Sequence, residues 1–351
     1  MKEKNMNFYA PIFNLEEFGP HNMLSALRAE VEHTDYLPKR NIDFRIQFSE
    51  NEDFNAAAYE IGDRAYINIS ITTAMQVYHH VLLLMGRGEL LPEGGKEEPY
   101  EGKYRIEEFE IPQICPYDEK YKQIAFYAGP DNPKRRKIAE LITLFGMEFM
   151  IFHEMGHHIG GHLRFLSEEF GLQELYAQGN TAAIDPQIYQ MLETDADAVA
   201  IATLLESIST KIDFYKDEFL DGMGKLIPQC VMAALTTVFF LMDHEDYTYN
   251  IDHARYLPRD ERFWLIIYIF MEKLRTDYKV CRCSQTDEQI METFIICNDL
   301  LGELYADKNP RRKILFCESD EVFRYYSEIL IPLWKNIRNE LAPYAVIHLP
   351  E

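Results

Sequence analysis

No run of apolar residues in this chain is long enough to be read as a membrane span. The longest, residues 230–242, is about 13 residues, contains Thr236 and Thr237, and is followed by Asp243, His244 and Glu245, whereas a bilayer requires about 20. It reads as a buried helix, as does the shorter run 263–271. An export signal is also missing: the first 19 residues mix Lys2, Lys4, Glu16 and Glu17 with scattered apolar residues and have no continuous apolar stretch, which points to a cytoplasmic protein. Basic charge is scarce. Lys and Arg number 35 against 58 Asp and Glu, a formal net charge of -23. That is the wrong sign for phosphate backbones, so it argues against nucleic acid as a partner, and the acidity is read as serving solubility. Cysteine is sparse and irregular, six residues in all, and without an export signal the expectation is free thiols. Cys281 and Cys283 stand closer than zinc-binding pairs do and have no partner pair, so they do not make a structural metal site. There is no internal repeat and no low-complexity tract.

What is present is enough apolar material for a large core: 351 residues, 47% hydrophobic and 13% aromatic, which fits one composite domain. Residues 42–48, 54–60 and 65–71 carry short strand-compatible patterns, with Gly62 and Asp63 turning the last two back on each other, and they read as a small antiparallel sheet. Helical spacing begins at 73–84. A loop over 86–102 follows, then an irregular, Tyr- and Pro-rich segment at 104–133. From there the pattern is helical: 135–165, 187–209, 228–242, 260–275, 287–305 and 318–341. The expected class is α+β, with an N-terminal sheet subdomain over 1–133 and a helical subdomain over 134–351.

Inside the helix expected over 135–165 lies His153-Glu154-Met155-Gly156-His157. Residues four apart share a helix face, so both imidazoles can reach one ion while Glu154 flanks the remaining coordination position. A catalytic zinc needs a third protein ligand and an open fourth site. Two candidates offer themselves. His162 follows His157 by five residues, but the third His of the metzincin pattern falls at position 163, which is Leu163, and no break in the helical pattern swings His162 back. Glu193 and Asp197 share a face of a second helix among Ala196, Ala198, Val199, Ala200 and Ile201. Buried acids are costly without a cation opposite, and zinc would supply one.

HExxH followed downstream by a Glu and, four residues later, an Asp resembles the gluzincin metallopeptidases. The form Glu-x-acid-Ala-Asp-x-x-Ala at residues 193–200, with His162 after the second imidazole, is similar to the HtpX and CAAX-prenyl-protease family. Asn55-Ala56-Ala57-Ala58 followed by Tyr66-Ile67-Asn68-Ile69 is similar to that family's edge strand and its neighbour. Residues 253–262 are similar to its His-then-Arg segment, with Ala254 where the family has Pro. The resemblance covers roughly residues 54–262. It implies a zincin-like fold, one zinc per chain held by His153, His157 and Glu193, and Glu154 as general base. It further implies that Asp197 orients His153, that His253 steadies the oxyanion, and that Asn55, Ala56 and Ala57 hold an extended protein or peptide substrate. Members with transmembrane helices differ from this chain, which is more similar to a soluble relative. A zinc-stabilised sensor or interaction protein is the rival from another class, and the non-ligand Glu154 argues against it. A hydrolase acting on non-peptide substrates is the other rival, and the edge strand argues against that.

Overall fold

Alternation at Phe44, Ile46 and Phe48, with Arg45 outside, makes the first strand one-faced, and the same period-two burial recurs at Ala65, Ile67 and Ile69. The structure, a computed structural model, describes residues 43–49, 54–61, 64–96, 130–171, 184–242, 257–276, 286–305, 315 and 323–346. It is mostly helical, with a small three-stranded sheet on its N-terminal side. The strands are β1 (Asp43–Ser49), β2 (Ala56–Ile61) and β3 (Arg64–Ser70), in the order β1-β3-β2. β2 and β3 pair antiparallel, as their tight connection requires, but β1 pairs parallel to β3, Ile46 opposite Ile67. The sheet is therefore mixed and not the antiparallel one expected. Its centre is β3, so β1 and β2 run oppositely without touching, and period-two patterning carries no information about that choice. Among the described residues β2 pairs with β3 alone, which makes it an edge strand.

α1 (Ile71–Met85) starts directly from β3, capped by the Ser70 hydroxyl accepting from Thr72 N–H at 3.2 Å. α2 (Pro133–Ile159) begins at Asn132, whose side chain accepts from Lys134 N–H at 2.9 Å, with Pro133 in the first turn where its missing donor costs nothing. From Met147 to Ile159 every residue of α2 is buried. A helix buried on all sides is the centre of its core. α3 (His162–Phe170), α4 (Pro186–Phe219), α5 (Ile227–Leu241), α6 (Arg259–Thr276), α7 (Asp287–Tyr305) and α8 (Ile331–Leu341) complete the fold. One buried cluster joins the sheet to α1, α2, α5, α6, α7 and the later turns of α4, and a second gathers α3, the start of α4 and α8 around Phe165 and Tyr189. α5 is buried throughout. Residues Gly224–Leu241 are apolar enough to cross a membrane, yet 94% of that stretch is buried inside the protein.

The single helix expected over 135–165 is broken. Gly160 closes α2, and Gly161, at φ +78°, takes a left-handed conformation that restarts the chain as α3 in a new direction. Cys230 and Cys297 are free and buried. Cys115, Cys281, Cys283 and Cys317, the turn at 62–63 and most of the irregular segment lie outside the described residues.

The chain leaving α1 is fastened by one side chain. Arg135, wholly buried, donates from Nε to the Met85 carbonyl at 2.7 Å, from Nη2 to Leu90 at 2.7 Å, and from Nη1 to Leu91 and Gly95 at 3.1 Å each. Replacing it with Ala strands those carbonyls. Arg135→Ala should lower unfolding free energy by about 3 kcal/mol, with Lys restoring little because it lacks the planar fork. Urea unfolding checks this, and a change under about 0.5 kcal/mol would remove Arg135 from the account.

Candidate metal centre

The closest approach of α2 and α4 fixes the site. A β-carbon at Gly156 would stand 3.0 Å from Ala196 Cα and 3.2 Å from its carbonyl oxygen, so only glycine lets the two backbones pass this near. The crossing lays the helix face carrying His153 and His157 against the face carrying Glu193 and Asp197. Their side chains converge: His153 Nε2 and His157 Nε2 are 3.1 Å apart, His153 Nε2 is 3.4 Å from Glu193 Oε2, and His157 Nε2 is 3.5 Å from Glu193 Oε1. All three residues are buried.

These spacings fit a zinc ion. Bonds of about 2.0–2.2 Å at tetrahedral angles place ligand atoms roughly 3.3–3.5 Å from one another. Both oxygens of Glu193 are buried, and the charge facing them is the Arg262 guanidinium, Nη1 3.3 Å from Oε2. That one guanidinium is shared with Asp197, so a cation between Glu193 and the imidazoles would add to the neutralisation of two buried acids.

Each imidazole is held from behind. Asp197 Oδ1 lies 2.8 Å from His153 Nδ1. Asp197 in turn accepts two hydrogen bonds from Arg262 of α6, from Nε at 2.6 Å and Nη2 at 2.8 Å, and Arg262 Nη1 stands 3.3 Å from Glu193 Oε2. The guanidinium also lies over the Phe239 ring, 5.8 Å from its centroid. Sequence reasoning reached Arg262 only as the end of a similar segment and gave it no role. A signal was present, since two acids on one buried face ask for more than one cation. His162 is the other addition. Gly161 turns it back toward α2, so its Nδ1 stands 3.0 Å from His157 Nδ1, while its Nε2 stands 3.2 Å from Asp195 Oδ2. It sits behind His157, apart from the converging Nε2 atoms, and the expectation that no turn returns it fails on the left-handed glycine.

The charge states follow from these contacts. Burial would raise the Glu193 carboxyl, but the Arg262 guanidinium and then His153 hold it well below the usual carboxylate range. Burial likewise opposes ionisation of Asp197, and Arg262 overrides it, keeping that carboxyl low. His157 is held well below its ordinary value, first by burial. His153 is pushed up to about 10, because Asp197 outweighs the burial that would lower it.

Glu154 is buried beside this group but does not belong to it. Burial pushes its carboxyl up to about 7, with Glu193 adding to the rise and His153, Arg262 and a hydrogen bond from the Ala58 backbone opposing it. It lines a cavity of about 120 Å³ together with Phe54, Asn55, Ala56, Phe149, Met150, His153, Met242 and Arg262.

The edge strand meets this cavity at its start. Asn55 accepts from Ser70 N–H at 3.0 Å, so Asn55, Ala57 and Tyr59 turn their backbone groups toward β3, while those of Ala56 and Ala58 face outward, as strand alternation demands. Asn55 and Ala56 thus reach the cavity, and the backbone of Ala57 belongs to the sheet. His253, expected at the oxyanion, lies outside the described residues.

Asp197 fixes both the His153 ring and Arg262, so Asp197→Asn should weaken zinc binding by roughly tenfold to a hundredfold with the fold intact. A chelator competition titration gives the affinity, and an unchanged value would make Asp197 a mere packing residue.

No protein-family model matches the chain, and no curated protein and no solved structure matches it either.

Proposed function

We propose that the chain is a zinc-dependent endopeptidase acting on an intracellular protein, with His153, His157 and Glu193 holding one ion and Glu154 as general base. The observation that carries this reading is a pairing. A buried His-His-Glu triangle has its ligand atoms turned to one point, and beside it stands another acid, Glu154, that is no part of the triangle and opens on a cavity. A zinc site serving only stability, as in a sensor or interaction protein, has no use for that further acid.

Zinc bound there supplies Lewis acidity and brings the pKa of a coordinated water toward neutrality. Glu154 accepts the proton of the attacking water on its carboxylate and returns it to the leaving nitrogen. Burial, which raises that carboxyl from its ordinary value, favours its taking the proton. The Ala58 N–H steadies that carboxylate against β2. Asp197, with Arg262 behind it, keeps the His153 ring fixed, so the base and the imidazoles hold one geometry throughout.

β2 supplies the grip on substrate. An extended peptide added along its outer edge would meet the backbone groups of Ala56 and the carbonyl of Ala58, and its own carbonyl would be led to the cavity beside Glu154. Ala56 is the first residue of β2 and its N–H faces away from β3, so Pro there removes an outward donor and leaves the ladder to β3 intact. The zinc-loaded chain should cut labelled casein, and chelation should abolish the cleavage. Ala56→Pro should impair it while zinc content and helical circular dichroism remain as in wild type. Normal cleavage by Ala56→Pro would mean that substrate enters by another edge, and absence of cleavage by the zinc-loaded wild type would count against the peptidase.

A further inference from the structure

His157 has two neighbours with ring nitrogens, and they make different demands on it. Its Nε2 points at His153 Nε2 and Glu193, and its Nδ1 points at His162 Nδ1, 3.0 Å away. Two imidazole nitrogens at that distance must share one proton, since two lone pairs facing each other repel and two N–H groups collide. If Nε2 of His157 is the face turned to a cation, the proton must be on Nδ1, and His162 Nδ1 must accept it. His162 then carries its own proton on Nε2, which stands 3.2 Å from Asp195 Oδ2. With a cation at the Nε2 face of His157, one arrangement of protons satisfies both contacts of His162. His162 is fully buried, and the Asp195 side chain is 13% exposed, so the series ends near solvent.

We propose that His162 and Asp195 are positioning residues for the metal site: together they fix the His157 ring in the Nδ1–H tautomer, presenting Nε2 to the ion, with neither acting as a ligand. The proposal rests on the zinc reading above and extends it to residues for which that reading had no use. Both ring nitrogens of His162 are committed, and His162 is not among the three residues whose ligand atoms converge. The two histidines are thus oriented by different devices, His153 by a carboxylate directly and His157 by a carboxylate through a second imidazole. Gly161 makes the second device possible, since only its left-handed turn brings His162 back over α2.

The test is zinc affinity of the full chain, measured by competition with a chelator. His162→Phe keeps an aromatic ring in the buried space but offers no acceptor, and should weaken binding about tenfold to a hundredfold. His162→Gln can accept from His157 through its carbonyl and donate to Asp195 through its amide, so it should regain most of the loss. A role in packing alone would predict the opposite order, with Phe tolerated and Gln not. Asp195→Ala should fall between wild type and His162→Phe. Long-range proton–nitrogen correlation spectra of the zinc-loaded wild type read the tautomers without any substitution: His157 protonated at Nδ1, His162 protonated at Nε2. Wild-type affinity in His162→Phe, or the reverse tautomer at His162, overturns the proposal and leaves the zinc reading standing. Complete loss of zinc in both the Phe and Gln variants also overturns it, by making His162 a ligand. A wild-type chain that binds no zinc removes the reading and the proposal together.

Discussion

Glu154→Gln should retain about one zinc ion per chain while hydrolysis of labelled casein falls by at least about a hundredfold. Glutamine keeps the size and a carbonyl oxygen, so the packing around the buried position and the hydrogen bond from Ala58 can survive. What it loses is the ability to take a proton. Glu154 is not among the three residues whose ligand atoms converge, so the ion should be unaffected. The two readouts must therefore separate. Equal activity in the variant would end Glu154's role as base, and loss of zinc along with activity would place Glu154 among the ligands.

Glu193→Ala should lose the ion. Removing one of the three proposed ligands should cost well beyond the hundredfold that loss of an outer hydrogen-bonding partner brings. The variant also leaves Arg262 facing Asp197 without its second carboxylate, so the cavity becomes more positive at the place a cation must enter. His157→Ala should behave similarly, since it removes a nitrogen that meets both His153 and Glu193. Zinc measured after dialysis decides the matter. If Glu193→Ala keeps the ion at wild-type affinity while His162→Ala does not, the third ligand is His162 and the geometry has been misassigned.

How much of this could be read from the residues alone depends on whether the signal was local. His153, Glu154 and His157 are legible because spacing of four on a helix is a purely local constraint. Glu193 and Asp197 are legible because acids among alanines and branched apolar residues have to be explained by something opposite them. Arg262 is less so: its guanidinium reaches Asp197 from a helix 65 residues further along the chain, and no local pattern marks that approach. His162 was misplaced for a different reason. A glycine inside a helical pattern costs only about 1 kcal/mol and is tolerated, so the pattern ran on through Gly160 and Gly161, where the chain actually turns. The sheet repeats the lesson, because β1 alternates in the same way whether it lies parallel or antiparallel to β3.

The most direct test of a zinc peptidase is a comparison of newly formed protein N-termini in cells producing the wild-type chain and cells producing Glu154→Gln at equal levels. The account predicts at least one internal cleavage of an intracellular protein that appears with wild type and is missing with the variant. The same set of termini in both would contradict it.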